Sequence, residues 1–264
     1  MKAASAPSQL FVFGSKPMQL AVQKTYKIKV NPKNVCTSFP LIFEIPPNAY
    51  YIDFSRTRIS LELEIVKKDG TAFAQADGKV STVNNISSSF FQQLKFYANG
   101  SPIYDSMDAY PWKAYIESVL FQPEEAKKTI MTSSLYFEDS PGDNCEPTDD
   151  NKGFQKRYNI TKNGKFNALG PIYSDLFSNG LFFPNFVKYT IEMYKGPDKF
   201  FLMSTGSKEA ELKLHKAQLI VQVVECAPSF TLAYERALAK TTAKFPFRKV
   251  SFFQKFVSVN FGPF

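Results

Sequence analysis

The sequence has one histidine (His215), one tryptophan (Trp112) and three cysteines (Cys36, Cys145 and Cys226) among 264 residues. One imidazole cannot complete the cluster of histidines and carboxylates that a metal-dependent enzyme needs, so no metal centre is expected. A Ser-His-Asp or Cys-His nucleophile would have to use His215. Its setting, ELKLHKAQL, alternates, which places the ring on a strand face opposite Leu212 and Leu214, beside Lys213 or Lys216 and at the surface. The cysteines are far apart, odd in number and never C-x-x-C, which points to reduced thiols rather than a disulfide framework or a zinc site. Neither G-x-x-x-x-G-K-[ST] nor G-x-G-x-x-G occurs, so no loop is built to cradle a phosphate. Asp149 and Asp150 lie in a polar, turn-rich stretch (SPGDNCEPTDDNKG, 140–153), where solvation keeps carboxylates ordinary, and Glu62 and Glu64 fall on the wet face of a strand. The expectation is no enzyme, and no catalytic, cofactor-binding or metal residues.

Long apolar runs are also missing. The start, MKAASAPSQLFVFGSKP, offers only LFVF, short of a signal-peptide core, and nothing later approaches a membrane span. The chain is therefore expected to be soluble, to stay inside a cell and to have no membrane partner. Sequons at Asn85, Asn99 and Asn159 then lose their meaning, and Asn99-Gly100 reads as a tight turn.

What the sequence does have is alternation. In RISLELEIV (58–66), Ile59, Leu61, Leu63 and Ile65 point one way and Ser60, Glu62 and Glu64 the other, giving a strand with one wet face. TYKIKV (25–30), LIFEI (41–45), the hairpin FQQLKFYANGSPIY (91–104), FNALGPIYSDLF, VKYTIEMYK and ELKLHKAQLIVQVVE add further strands. Roughly eight strands are predicted, enough for two facing sheets. Helices are few. AYPWKAYIESVL (109–120) starts on Pro111 and repeats Trp112, Tyr115, Ile116, Val119 and Leu120 at helical spacing. PEEAKKT forms a short turn with Glu124 and Lys128 four apart. PSFTLAYERALAK (228–240) offers Phe230, Leu232, Ala233, Ala237 and Leu238 for a buried face.

The net charge of +8 sits at the two ends. Residues 1–43 hold six lysines and no acid, and residues 236–264 hold six cations and no acid, leaving −4 for the middle. Such ends suit nucleic acid or another polyanion, although lysines also protect strand edges from aggregation. Aromatic content is high, with 27 Phe and 13 Tyr, and clusters such as SLYF, LFF and SFF provide both core filling and candidate contact surface.

Taken in order, YIDFSRTRISLELEIVKKDG, VNNISSSFFQQLKFYANGSPI, YPWKAYIESVLF with EEAKKTIMTSSLYFEDS, GPIYSDLF and PSFTLAYERALAKTTAKFPFRKV resemble the hexon-like double jelly-roll major capsid proteins of Polinton (Maverick) elements and adintovirus-like viruses. The resemblance spans most of residues 50–250. It implies an all-β fold: a jelly-roll sandwich of about eight antiparallel strands in two sheets with short loop helices, the first half of a double jelly roll. It also implies a structural capsid subunit that forms homotrimeric, pseudo-hexagonal capsomers, contacts neighbouring capsomers and other capsid proteins, and resides in a virion assembled inside the host cell. The implied organisation is an N-terminal arm (1–20), a jelly-roll domain (21–226), and a linking helix with the first strand of a truncated second jelly roll (227–264). That last strand, with Phe252, Phe253, Phe256 and Val257, would need another chain to cover it. In this family loop helices cover the sheet, so Trp112, Tyr115, Ile116 and Val119 are expected to seal one flank while Lys113, Glu117 and Ser118 look outward. On that expectation Trp112→Ala costs about 3–5 kcal/mol. Two other readings of the residues stay open: a carbohydrate-binding or attachment sandwich, and a non-specific nucleic-acid binder using the basic ends.

Overall fold

A computed structural model describes residues 21–73, 77–140, 146–206 and 209–247. The N-terminal arm (1–20), Cys145 and the strand expected around Phe252–Val257 lie outside the described residues. Eight strands form the body: β1 (Val22–Val30), β2 (Leu41–Ile45), β3 (Tyr51–Lys67), β5 (Phe91–Ala98), β6 (Ser101–Asp105), β7 (Phe166–Pro171), β8 (Tyr189–Lys195) and β10 (Ala210–Cys226). They divide into two antiparallel sheets of order β1-β10-β3-β7 and β2-β8-β5-β6. Apart from the β5–β6 hairpin, consecutive strands of the body thus pass from sheet to sheet, the winding of a jelly roll. A separate ribbon, β4 (Val80–Thr82) with β9 (Leu202–Ser204), adds a third small sheet that the sequence reading did not foresee.

Alternation sets the register as expected. Leu61 of β3 faces Ala217 on one side and Ala168 on the other, and all three side chains are buried. In the second sheet Ile191 faces both Phe43 and Phe96. Rings close the gap between the layers: Phe54 of β3 meets Phe96 at 5.2 Å and Tyr189 at 5.5 Å edge-on, and stacks on Phe177 at 4.6 Å. The Asn99-Gly100 turn is present, with φ values of 49° and 81°, both in the region a two-residue hairpin of this kind demands. His215 lies on the outer face of the first sheet, with Nε2 2.7 Å from Glu64 Oε2. Glu62 also looks outward, 3.7 Å from Lys165 Nζ. Asp149 is exposed and ion-paired with Lys79, whose hydrogen bond holds that carboxyl below the ordinary range. Cys36 and Cys226 are free thiols.

The helices are α1 (Ile86–Ser89), α2 (Tyr110–Phe121), α3 (Glu124–Lys128), α4 (Lys152–Thr161), α5 (Asp198–Phe201) and α6 (Pro228–Leu238). Helix α4, absent from the sequence reading, is capped by the Asn151 side chain, which accepts from Phe154 N at 3.1 Å. It carries the fully buried Arg157 beside the β4 ribbon. There the guanidinium donates to Thr82 O, Asn84 Oδ1, Phe137 O and Asp139 Oδ1 at 2.7–2.9 Å.

Two expectations about helix faces are corrected. In α2 the expected sealing residues Trp112, Tyr115, Ile116 and Val119 are exposed, while Lys113 and Ser118, expected outside, are buried. In α6 no residue is buried; Phe230, Leu232 and Leu238 remain exposed, and the Phe230 and Tyr234 rings lean on Tyr51, at 6.3 and 5.5 Å. Apolar periodicity fixes which residues share a face, but it does not say what that face meets.

Candidate assembly surface

Helix α2 begins where the β5–β6 hairpin ends, with Pro111 in its first turn, where a missing N–H costs no helical bond. It docks through polar groups at helical spacing. The Tyr110 hydroxyl oxygen accepts from Tyr173 N at 3.4 Å. Lys113 Nζ donates to Asp175 Oδ1 at 2.5 Å and pairs with Glu117 Oε1 at 2.7 Å. Ser118 Oγ gives its proton to Ala114 O, 2.7 Å away, and so accepts from Asn85 Nδ2 at 3.2 Å and from the Tyr173 hydroxyl at 2.9 Å. Burial opposes the Lys113 charge, but the hydrogen bonds to Asp175 and Glu117 outweigh it and hold the ammonium above its ordinary range. Burial, and then the Asp175 charge, push the neighbouring Tyr104 hydroxyl well above the ordinary tyrosine range.

The opposite side of α2 is apolar and open. Along it Trp112 is 40% exposed, Tyr115 57% and Leu120 69%, with Ile116 and Val119 exposed between them, and Met107 before the helix and Ile130 after it are exposed too; Phe121, 74% exposed, is the last helical residue and stands half a turn from Trp112. The Trp112 ring meets Phe200 edge-on at 5.5 Å. Seven such side chains, each exposing about half of the 150–250 Å² that a large ring can bury, come to roughly 700 Å², close to the roughly 800 Å² that one partner brings to a standard interface. Monomeric proteins rarely leave so much contiguous apolar surface bare. Beside the C-terminal end of α2 runs an open groove of about 340 Å³, lined by Glu117, Gln122, Ile130, Leu169, Phe177 and Arg58 among others.

A second apolar region gathers around α6, where Leu181, Phe182, Phe186, Phe230, Leu232 and Phe247 are exposed and Phe245 stacks on Phe183 at 5.1 Å. The two regions lie toward opposite ends of the sandwich. Trp112 sits at Phe200, just past the Lys195 end of β8, whereas α6 sits at Tyr51, near the Tyr189 end, where Phe54 packs. Among the described residues no three His, Cys, Asp or Glu side chains gather as a metal site, and no helix is long and apolar enough to cross a membrane.

No protein-family model matches the chain, and no curated protein matches it. Solved structures do. A chain in the cryo-EM structure of the Sputnik virophage aligns with a TM-score of 0.56 at 12% identity, covering 85% of this chain and 53% of that one. The Faustovirus major capsid protein aligns with a TM-score of 0.57 at 10% identity, covering 88% of this chain and 59% of that protein. This chain thus spans little more than half the length of either. At these identities the likeness establishes the fold, a jelly-roll β-sandwich, in agreement with the strand order.

Proposed function

We propose that this chain is a structural capsid subunit, of the kind that builds the major shell of a virus, and that copies of it associate into trimeric, pseudo-hexagonal capsomers. The observation that carries the reading is the outward apolar face of α2, whose occupant is a second copy of the chain. A helix that buries lysine and serine while offering Trp112, Tyr115 and Leu120 to solvent is organised for a partner. The jelly-roll winding and its likeness to chains from virus particles support the same reading. In this reading residues 21–226 form the first jelly roll of a double jelly-roll protein, and residues 227–264 lead into the second. The source is a Polinton-like virus or element, the location a virion, and the work is done by surfaces, with no catalytic step. The basic ends meet packaged DNA or neighbouring capsid proteins. The test is particle mass in solution together with negative-stain images of the purified chain. Trimers or larger regular particles are expected; a protein that remains monomeric at every concentration, or one that binds glycans as a monomer, overturns the proposal.

A further inference from the structure

Helix α2 sits in a setting opposite to the one its own sequence favours. Left to burial alone, a helix with Trp112, Tyr115, Ile116, Val119 and Leu120 along one side would turn that side toward the sandwich. The observed inner side, Tyr110, Lys113, Ala114, Glu117 and Ser118, lies about half a turn away at 3.6 residues per turn. Three of its four polar members are matched by a fixed partner on the body: Tyr173 N for Tyr110, Asp175 for Lys113, and Asn85 and the Tyr173 hydroxyl for Ser118. Glu117 binds Lys113 from the rim, half-buried, and Tyr104 of β6 faces Asp175. Rolling the helix would strand Asp175, only 9% exposed, without its cation.

We infer that Lys113 and Asp175 are positioning residues that lock α2 in its outward-facing setting, keeping the subunit from hiding its own assembly surface. The pair acts on orientation more than on stability, the role in which a buried polar contact excludes an alternative packing that apolar residues would accept. This inference rests on the reading of the α2 face as a contact surface, but its primary readout does not, because Trp112 is the only tryptophan in the chain and reports the orientation of the helix directly.

The test is the full-length variant Lys113→Met with Asp175→Leu, followed by tryptophan emission, acrylamide quenching, thermal unfolding and sedimentation. If the pair sets the orientation, the emission maximum shifts to the blue, quenching falls at least about twofold, the unfolding temperature is held or raised, and self-association is lost. Lys113→Arg, which keeps the pair, should behave as wild type. Unchanged emission and quenching in a folded double variant overturn the inference. So does a red shift with increased quenching, which would mean that the helix has merely come loose. Should the double variant fail to fold, Asp175→Asn replaces it under the same readings. If Trp112 becomes shielded in a chain that never associated to begin with, the inference stands and the assembly reading fails.

Discussion

Arg157→Met is expected to destabilise the fold by about 3–5 kcal/mol, the range for removing one partner of a buried charged pair. The figure follows from what the guanidinium reaches. It is fully buried and donates to four acceptors on two separate stretches: Thr82 O in β4 with Asn84 Oδ1 just beyond it, and Phe137 O with Asp139 Oδ1 in the segment before α4. Methionine fills much of the volume but donates nothing, so the two carbonyls lose their donor at about 1–3 kcal/mol each if water cannot reach them. Asp139 tempers the loss, since its side chain is 23% exposed and can turn toward solvent. Asp139→Asn, which keeps an acceptor for Arg157, should therefore cost only about 1 kcal/mol. Urea denaturation followed by far-ultraviolet circular dichroism measures both. A loss below 1 kcal/mol for Arg157→Met would mean that α4 and the ribbon are held by apolar packing, and that the buried arginine is dispensable.

Three further outcomes follow from the packing. Trp112→Ala should cost only about 1–2 kcal/mol instead of the 3–5 of a buried tryptophan, because the ring is half in solvent and rests chiefly on Phe200; thermal unfolding decides between the two. Gly170→Ala should destabilise by about 1–3 kcal/mol through overpacking, since its new Cβ would lie 2.8 Å from Ser87 Cβ, and Ser87→Gly in the same chain should recover most of that loss. Burial raises the Tyr104, Tyr110, Tyr173 and Tyr189 hydroxyls above their ordinary range. Their contribution to stability is therefore complete below the unfolded value of about 10 and falls as the unfolded chain ionises above it, by up to about 1.4 kcal/mol per pH unit for each ring. Unfolding free energies from pH 9 to 11 should show this decline, and Tyr110→Phe should make it shallower.

Much of the sandwich was legible in the sequence because a strand with one wet face writes its period of two directly into the residues. Ile59 to Ile65 is the clearest case, whereas between Leu212 and Leu219 a bulge at His215 shifts the alternation by one residue, and Asn99-Gly100 marked its hairpin by the positive φ values it needs. Helix α4 escaped because its inward position 157 is an arginine, so a residue that reads as surface interrupts the stripe made by Phe154 and Thr161. The β4–β9 ribbon escaped because three-residue strands are too short to display a period. The apolar stripe of α2 was found and given the wrong side. Nothing local to α2 reveals that Asp175, Tyr173 and Asn85 wait on the body to receive Lys113 and Ser118; those partners come from segments far along the chain, brought together only by the fold. One sequence clue pointed there, a lysine and a serine in a helix rich in rings, but it reads equally well as an ordinary wet face.

The central claim is that the apolar side of α2 exists to meet another copy. Sedimentation velocity of the wild-type chain against Tyr115→Ser with Leu120→Ser, over the same concentration series, tests it most directly. Both side chains are more than half exposed, so the substitutions should leave the unfolding temperature nearly unchanged. The account predicts trimers for the wild type and monomers for the variant; identical mass distributions for the two would contradict it.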